Sequence, residues 1–264
     1  MELIRLTPWE LAIAAALLLI LAALSWSLHL GIGRQVLVAA TRSTVQLALI
    51  GLVLKQLFEQ RDPWLLGLLA LVMLAVAGYE VMSRQRRRFR GAWGYGIGTL
   101  SMFLSSFTVT LLALFVVIGV EPWWTPQYLI PLLGMLLGNT MSGIAIALDG
   151  LTRQAWERRG AVEARLMLGH DWSQAIGDIR RDALRSGLIP IVNAMSAAGI
   201  VSLPGMMTGQ ILAGSPPMEA AKYQLMILFL IGGGTGLGSV AAVWSGSRRL
   251  FDQRQRLRLD RLTG

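Results

Sequence analysis

The 264-residue sequence contains no cysteine, which excludes a disulfide framework, thiolate zinc sites and cysteine-held iron–sulfur clusters. Charge is scarce as well: Asp, Glu, Lys and Arg make up 15% of residues, against about a quarter in a soluble domain. Only two histidines occur, His29 and His170, far apart and in no metal-ligand spacing. A phosphate-cradling loop is also missing. The nearest candidate, 233–239, has the glycines but offers Leu237-Gly238-Ser239 where a lysine is needed to reach a nucleotide. No paired carboxylates sit within an apolar run, and no serine stands in a nucleophile turn. The chain therefore reads as a non-enzyme that binds no cofactor of its own, and any energy it uses comes from a partner or an ion gradient.

What is present is apolar. Hydrophobic residues make up 54% of the chain, and the mean hydropathy is +0.57. Runs near the ~20 residues a bilayer requires begin at Trp9, Val36, Trp64, Tyr95, Tyr128, Ser186 and Gln224. They predict an all-α, polytopic, multi-pass protein of the cell's inner membrane, with about seven transmembrane helices in a single permease-like domain over 1–264. Glu2 and Glu10 flank the first run, and no small-x-small site follows it, so it reads as a retained span.

The net charge of +9 is not spread evenly. Arginines cluster at Arg84, Arg86, Arg87, Arg88 and Arg90, through 149–185, and in 248–261. Placing these with Arg34 and Arg42 on the cytoplasmic side leaves only Arg5, Lys55, Arg61 and Lys222 elsewhere. The bias predicts an external N-terminus and a cytoplasmic C-terminus, and it directs the basic patches to lipid headgroups rather than nucleic acid.

Two segments are not plain spans. Pro204 and Gly205 interrupt the chain after the sixth run, and the short apolar stretch 206–213 within 203–222 predicts an external re-entrant or interfacial helix. The other segment, 149–185, is the one long loop on the basic side. Val162, Leu166 and Leu168 give a first short helix an apolar side, and Gly169 is placed to end it. Asp171 with Gln174 then forms a capping-box pattern. A second helix follows, with Trp172, Ile176, Ile179 and Ala183 as its stripe. Such a pair either lies on the membrane surface or docks on another protein.

Polar residues inside apolar runs are candidates for a transport pathway. Asn139, Thr140 and Ser142 in the fifth run and Asn193 and Ser196 in the sixth are the densest group; Asn139 and Ser142 share one helix face and Asn193 and Ser196 another, and each pair either lines a pathway or bonds between helices. Glu80 either attracts a cation or pairs with Arg84, and Arg42 either snorkels to the surface or serves as a gate. Met195, Met206 and Met207 read as packing, so no metal site is assigned. The overlapping pairs Gly232/Gly236 and Gly234/Gly238 favour close helix contact.

Glu163-Ala164-Arg165, Gly169 and Ile179 together resemble the EAA loop of ABC transporter permeases. Arg165 replaces an alanine of that pattern, and Arg181-Asp182 stands where Leu-Pro is expected. More broadly, Arg42, Gln46-Leu47, Gly51, Gly138-Asn139, Leu203-Pro204-Gly205-Met206-Met207, Gly209, Ala213-Gly214, Tyr223-Gln224 and Met226 resemble the FetB-type permeases. That is a bacterial iron-export ABC family with relatives in plant aluminium tolerance. The resemblance implies export of iron or another metal, a separate cytosolic ATPase subunit carrying ATP and Mg, and a homodimer of permeases. It also implies that Glu163, Ala164, Leu166, Gly169, Trp172, Ile176 and Ile179 couple to that ATPase. Arg42, Glu80, Pro204 and Gly205 stay as gating or structural residues. An ion-coupled secondary transporter, or a non-transporting membrane subunit that relays ATPase state, is the alternative.

Overall fold

The computed structural model describes residues 7–60 and 62–263. Glu2, Arg5 and Arg61, used above for topology, lie outside the described residues. The chain divides into two compact units, one of residues up to 62 with 212–214, the other of 63–211 with 215–264.

The first unit is a helical hairpin, α1 (Pro8–Ser27) and α2 (Gly33–Gln60). Glu10 closes the start of α1 by accepting the Thr7 backbone N–H at 2.6 Å. In the turn, the Ile32 N–H donates to the buried Ser25 hydroxyl at 3.2 Å. A Cβ on Gly33 would stand 2.9 Å from the Trp26 indole nitrogen, so only glycine lets α2 begin this close to α1. Most of the apolar surface of both helices points outward, the arrangement expected of helices solvated by lipid.

The second unit holds α3 (Pro63–Ser83), β1 (Arg88–Phe89), α4 (Ala92–Ile118), α5 (Pro126–Glu157), α6 (Arg159–Met167), α7 (Trp172–Ala175), α8 (Gly177–Ala197), α9 (Gly205–Leu212), α10 (Pro217–Arg249) and β2 (Leu262–Thr263). Proline opens α5 and α10, where its missing N–H costs nothing. α5 is central: it packs against α3, α8 and α10, and α10 also meets α4. Leu133, Leu136, Ile144, Leu148 and Leu151 of α5 are fully buried together with Met102 and Leu114 of α4. α4 contains two wide π-helical turns, Phe103–Phe107 and Ala113–Ile118.

Glycine sets the closest helix approaches. A Cβ on Gly143 would lie 2.6 Å from Thr235 Cγ2, one on Gly187 2.7 Å from the Gly143 carbonyl, and one on Gly238 2.7 Å from Ser105 Oγ. Real Cβ atoms do not come so near, so α5, α8 and α10 can meet only through hydrogen at these positions. Of the overlapping glycine pairs in α10, Gly234 and Gly238 take the packing role, while Gly236 opens on empty space.

Six helices among the described residues are long and apolar enough to cross a bilayer: α1, α2, α3, α4, α5 and α10. The expected span beginning at Ser186 is the second half of α8. Asp178, Arg180, Arg181, Asp182 and Arg185 occupy the first half, and the apolar part, 186–197, extends only about 18 Å at 1.5 Å per residue. That is short of the roughly 30 Å of hydrocarbon in a bilayer. The chain then turns through Gly199 and Pro204 into α9, an eight-residue helix.

The three arginine-rich segments of this unit gather at one end of the bundle. The Arg86 N–H donates to Asp149 Oδ1 at 2.8 Å, and Thr152 Oγ1 donates to the Arg87 carbonyl at 2.7 Å. β1 pairs antiparallel with β2, and Arg90 N–H donates to the Arg261 carbonyl at 2.8 Å. The C-terminal residues are thereby folded onto the loop between α3 and α4.

Candidate functional site

The α6–α7 pair is built on the ends of α5 and α8. Val162, Ile176 and Ile179 are buried in the same core cluster as Leu151 and Ala155 of α5, with Leu166 and Trp172 packed against it. α6 ends on Gly169 in the left-handed region, φ 88°, where glycine carries no side-chain penalty. The next helix is capped reciprocally. The Gln174 N–H donates to Asp171 Oδ1 at 2.7 Å, and the Asp171 N–H donates to Gln174 Oε1 at 3.2 Å. Arg165 bonds Asp178 at 2.6 Å and so ties α6 to α8, with Arg181 on the other carboxylate oxygen. The Arg165 and Arg181 guanidiniums hold the Asp178 carboxyl below its ordinary range.

The residues expected to couple therefore divide. Ile176 and Ile179 are interior anchors, Leu166 and Trp172 are half-buried, and Glu163, Ala164 and Gly169 are exposed. Leu168 was expected on the apolar inner side; the turn at Gly169 leaves it 80% exposed beside Met167 at 83%. Hydrophobicity alone assigned it inward, and the C-terminal turn reversed that. Met167, which periodicity did not single out, joins it in an exposed apolar pair.

Asn139 and Ser142 lie on the outward face of α5, and Asn193 and Ser196 on the outward face of α8. Asn139 Nδ2 donates to the Met135 carbonyl at 2.8 Å, Ser142 Oγ to that of Gly138 at 3.1 Å, and Ser196 Oγ to that of Val192 at 2.9 Å. Gly143 and Gly187 hold α5 and α8 together, and Ser142 of α5 and Ser186 of α8 line one cavity. That cavity, of about 220 Å³, is also lined by Arg84, Asp149 and Arg153. Glu80 pairs with Arg84 at 3.7 Å, as one of its two readings expected. Pro204 accepts the Thr208 N–H at 3.1 Å, and Gly205 opens α9. Arg42 is exposed on α2, in the first unit.

Sequence reasoning grouped Thr140 with Asn139 and Ser142 but missed the buried polar cluster that it joins. Ser106 of α4, Thr140 of α5, and Thr235 and Ser239 of α10 are buried, and their hydroxyl oxygens have no hydrogen-bond partner. Each such oxygen costs about 1–3 kcal/mol when left unsatisfied. The available signal was the position of Thr235 and Ser239 among glycines at four-residue spacing.

Six membrane-length helices among the described residues, with glycine-packed contacts inside the second unit, define a multi-pass inner-membrane protein of the all-helical kind. The chain belongs to the uncharacterised protein family UPF0014, whose pattern matches residues 8–251. It is 37% identical over 251 residues, 94% of each chain, to UPF0014 membrane protein slr1647 of Synechocystis sp.. It is 34% identical to Protein ALUMINUM SENSITIVE 3 of Arabidopsis thaliana, over 88% of this chain and 83% of that one. With the Probable iron export permease protein FetB of Escherichia coli it shares 29% identity over 96% of this chain and 95% of that one. No solved structure matches the chain.

Proposed function

We propose that the protein is the permease subunit of an ABC transporter that exports iron or another metal species, driven by a separate cytosolic ATPase. The observation that carries this reading is the nearly end-to-end similarity to a relative named as an iron export permease. The architecture supports it. The α6–α7 pair joins two core helices and is anchored through Val162 and Ile176, which are buried with Ile179 of α8. A partner that moves the pair therefore moves α5 and α8. The gathering of 84–90, 149–185 and 248–261 at one end supports a cytoplasmic position for the pair by the positive-inside rule.

Two copies are expected to meet across the outer α5–α8 surface. Asn139, Ser142, Asn193 and Ser196 facing lipid would cost free energy that a second copy, or water held between two copies, removes. In that homodimer the four residues line the pathway, Glu80 and Arg84 close its basic end, and α9 with Pro204 and Gly205 lies at the opposite end.

Affinity purification from native membranes is expected to bring down a P-loop ATPase, and sealed vesicles containing both proteins are expected to move iron only with ATP. Flux driven by an ion gradient without ATP would establish a secondary carrier. ATP hydrolysis that responds to this chain without any metal flux would establish a relay subunit.

A further inference from the structure

The end of the second unit away from its arginines carries a cleft of its own. Loop 119–125 joins the end of α4 to the start of α5, whereas Arg90 stands just before α4 and Arg153 near the end of α5. A cleft of about 540 Å³ opens at this loop, and its walls include Phe115, Glu121, Trp123 and Trp124. The size falls within the roughly 300–1,000 Å³ of small-molecule sites. The Phe115 and Trp123 rings lie 5.4 Å apart at 39°, and those of Trp123 and Trp124 5.7 Å apart at 87°. The indole planes thus make a corner rather than a stack, and each indole residue is 37% exposed. The loop that presents them is held by its own bonds. Gly119, at φ 66°, donates its N–H to the Leu114 carbonyl at 3.0 Å, and Thr125 donates its N–H at 3.0 Å and its hydroxyl at 2.6 Å to the Pro122 carbonyl.

Glu121 is the only charged residue between Arg90 and Asp149, and among the described residues it has no ion-pair partner. A lone carboxylate beside aromatic faces matches one kind of ligand. A bare metal ion needs several donors, and among the described residues no group of three His, Cys, Asp or Glu could hold one. An organic ammonium needs one counter-charge and ring faces within about 6 Å. Position gives the source of that ammonium. α4 has 27 residues and extends about 40 Å at 1.5 Å per residue, past the roughly 30 Å of hydrocarbon in a bilayer. The loop therefore reaches headgroup depth, where tryptophan concentrates. Phe115 is 56% exposed beside Val116 at 75%, so one wall of the cleft continues into the outward side of α4.

We propose that this cleft holds the ammonium headgroup of a phospholipid, with the Glu121 carboxylate as its counter-charge and the Phe115, Trp123 and Trp124 rings as its cage. The bound lipid ties loop 119–125, and with it the α4–α5 hairpin, to the leaflet opposite the basic end. The site is separate from the residues proposed for the pathway, and it holds whether or not an ATPase drives the chain.

The test uses the purified full chain in detergent, with bound lipid counted by native mass spectrometry during titration with phosphatidylethanolamine and, separately, with phosphatidylglycerol, which lacks the ammonium. Glu121→Gln and Trp124→Leu alter the cleft. Glu219→Gln is the control, a carboxylate already bonded to Lys222 at 2.7 Å. Both cleft variants are expected to weaken phosphatidylethanolamine binding about tenfold, to bind phosphatidylglycerol as wild type does, and to keep the wild-type melting temperature; the control is expected to change neither lipid. Undiminished phosphatidylethanolamine binding by both cleft variants would overturn the site. Equal loss of both lipids would make the cleft a general lipid contact and overturn ammonium recognition. Loss with Glu121→Gln but not with Trp124→Leu would leave a plain ion pair and overturn the cage. Displacement of the lipid by soluble ethanolamine at equal concentration would overturn the lipid occupant in favour of a soluble amine.

Discussion

The two faces of α5 carry similar residues in opposite circumstances. On the inner face, Thr140 and Gly143 meet α10 at distances that leave no room for a Cβ, and the Thr140 hydroxyl is buried without a partner. On the outer face, one residue earlier in each case, Asn139 and Ser142 are turned outward and bond their own helix. Polarity within an apolar run thus has two meanings. Inside, small polar residues serve close packing and their chemistry goes unused. Outside, polar groups that bond only their own helix call for water or a second copy.

The largest expected effect tests the inner face. Gly143→Leu would force side-chain atoms into Thr235 and the Gly187 backbone. It is expected to cost about 3 kcal/mol or more, read as a large drop in melting temperature in detergent; a wild-type melt would refute the glycine contact. On the outer face, Asn139→Leu with Ser142→Leu is expected to leave that melt unchanged and to reduce metal export several-fold. Unchanged export would remove these residues from the pathway.

Smaller effects sharpen the same contrast. Thr140→Val keeps the shape and removes an unpartnered oxygen, so it is expected to stabilise the chain by about 1 kcal/mol. Destabilisation would reveal a bonding partner, such as ordered water, for that hydroxyl. The smallest effect lies at the α6–α8 brace. The folded-state pKa of Asp178 is depressed, so its contribution is complete above the unfolded value of about 3.9 and is lost as pH falls through the folded value. Amide exchange in α6 is expected to quicken on acidification through that window. Asp178→Asn is expected to abolish the step, and an unaltered step would assign it to another group.

Much of this was legible in the sequence, for reasons that also explain the rest. Hydropathy located α1 to α5 and α10, because about 20 apolar residues in a row have no other stable home. It did not give the bounds of α8, where a charged first half and an apolar second half share one helix. Helical spacing put Asn139 with Ser142 and Asn193 with Ser196, and each pair shares a face. Spacing could not tell which face looked inward, because in lipid both faces of a span are apolar. Gly169 and Asp171 marked the helix ends through local backbone chemistry, which needs no tertiary information. The tail was read only as positive charge. Phe251, Leu257 and Leu262 among the arginines were the available sign that it folds back, and the pairing of β2 with β1 is a contact no local pattern encodes.

The absence of cysteine makes the central claim directly measurable, since a single introduced thiol has no competitor. Met167→Cys is 83% exposed at its site and is expected to react with a membrane-impermeant thiol reagent in inside-out vesicles, to stay unlabelled in intact cells, and to be shielded when the ATPase is bound. Labelling from outside intact cells would place the α6–α7 surface away from ATP, and no cytosolic motor could then drive this protein.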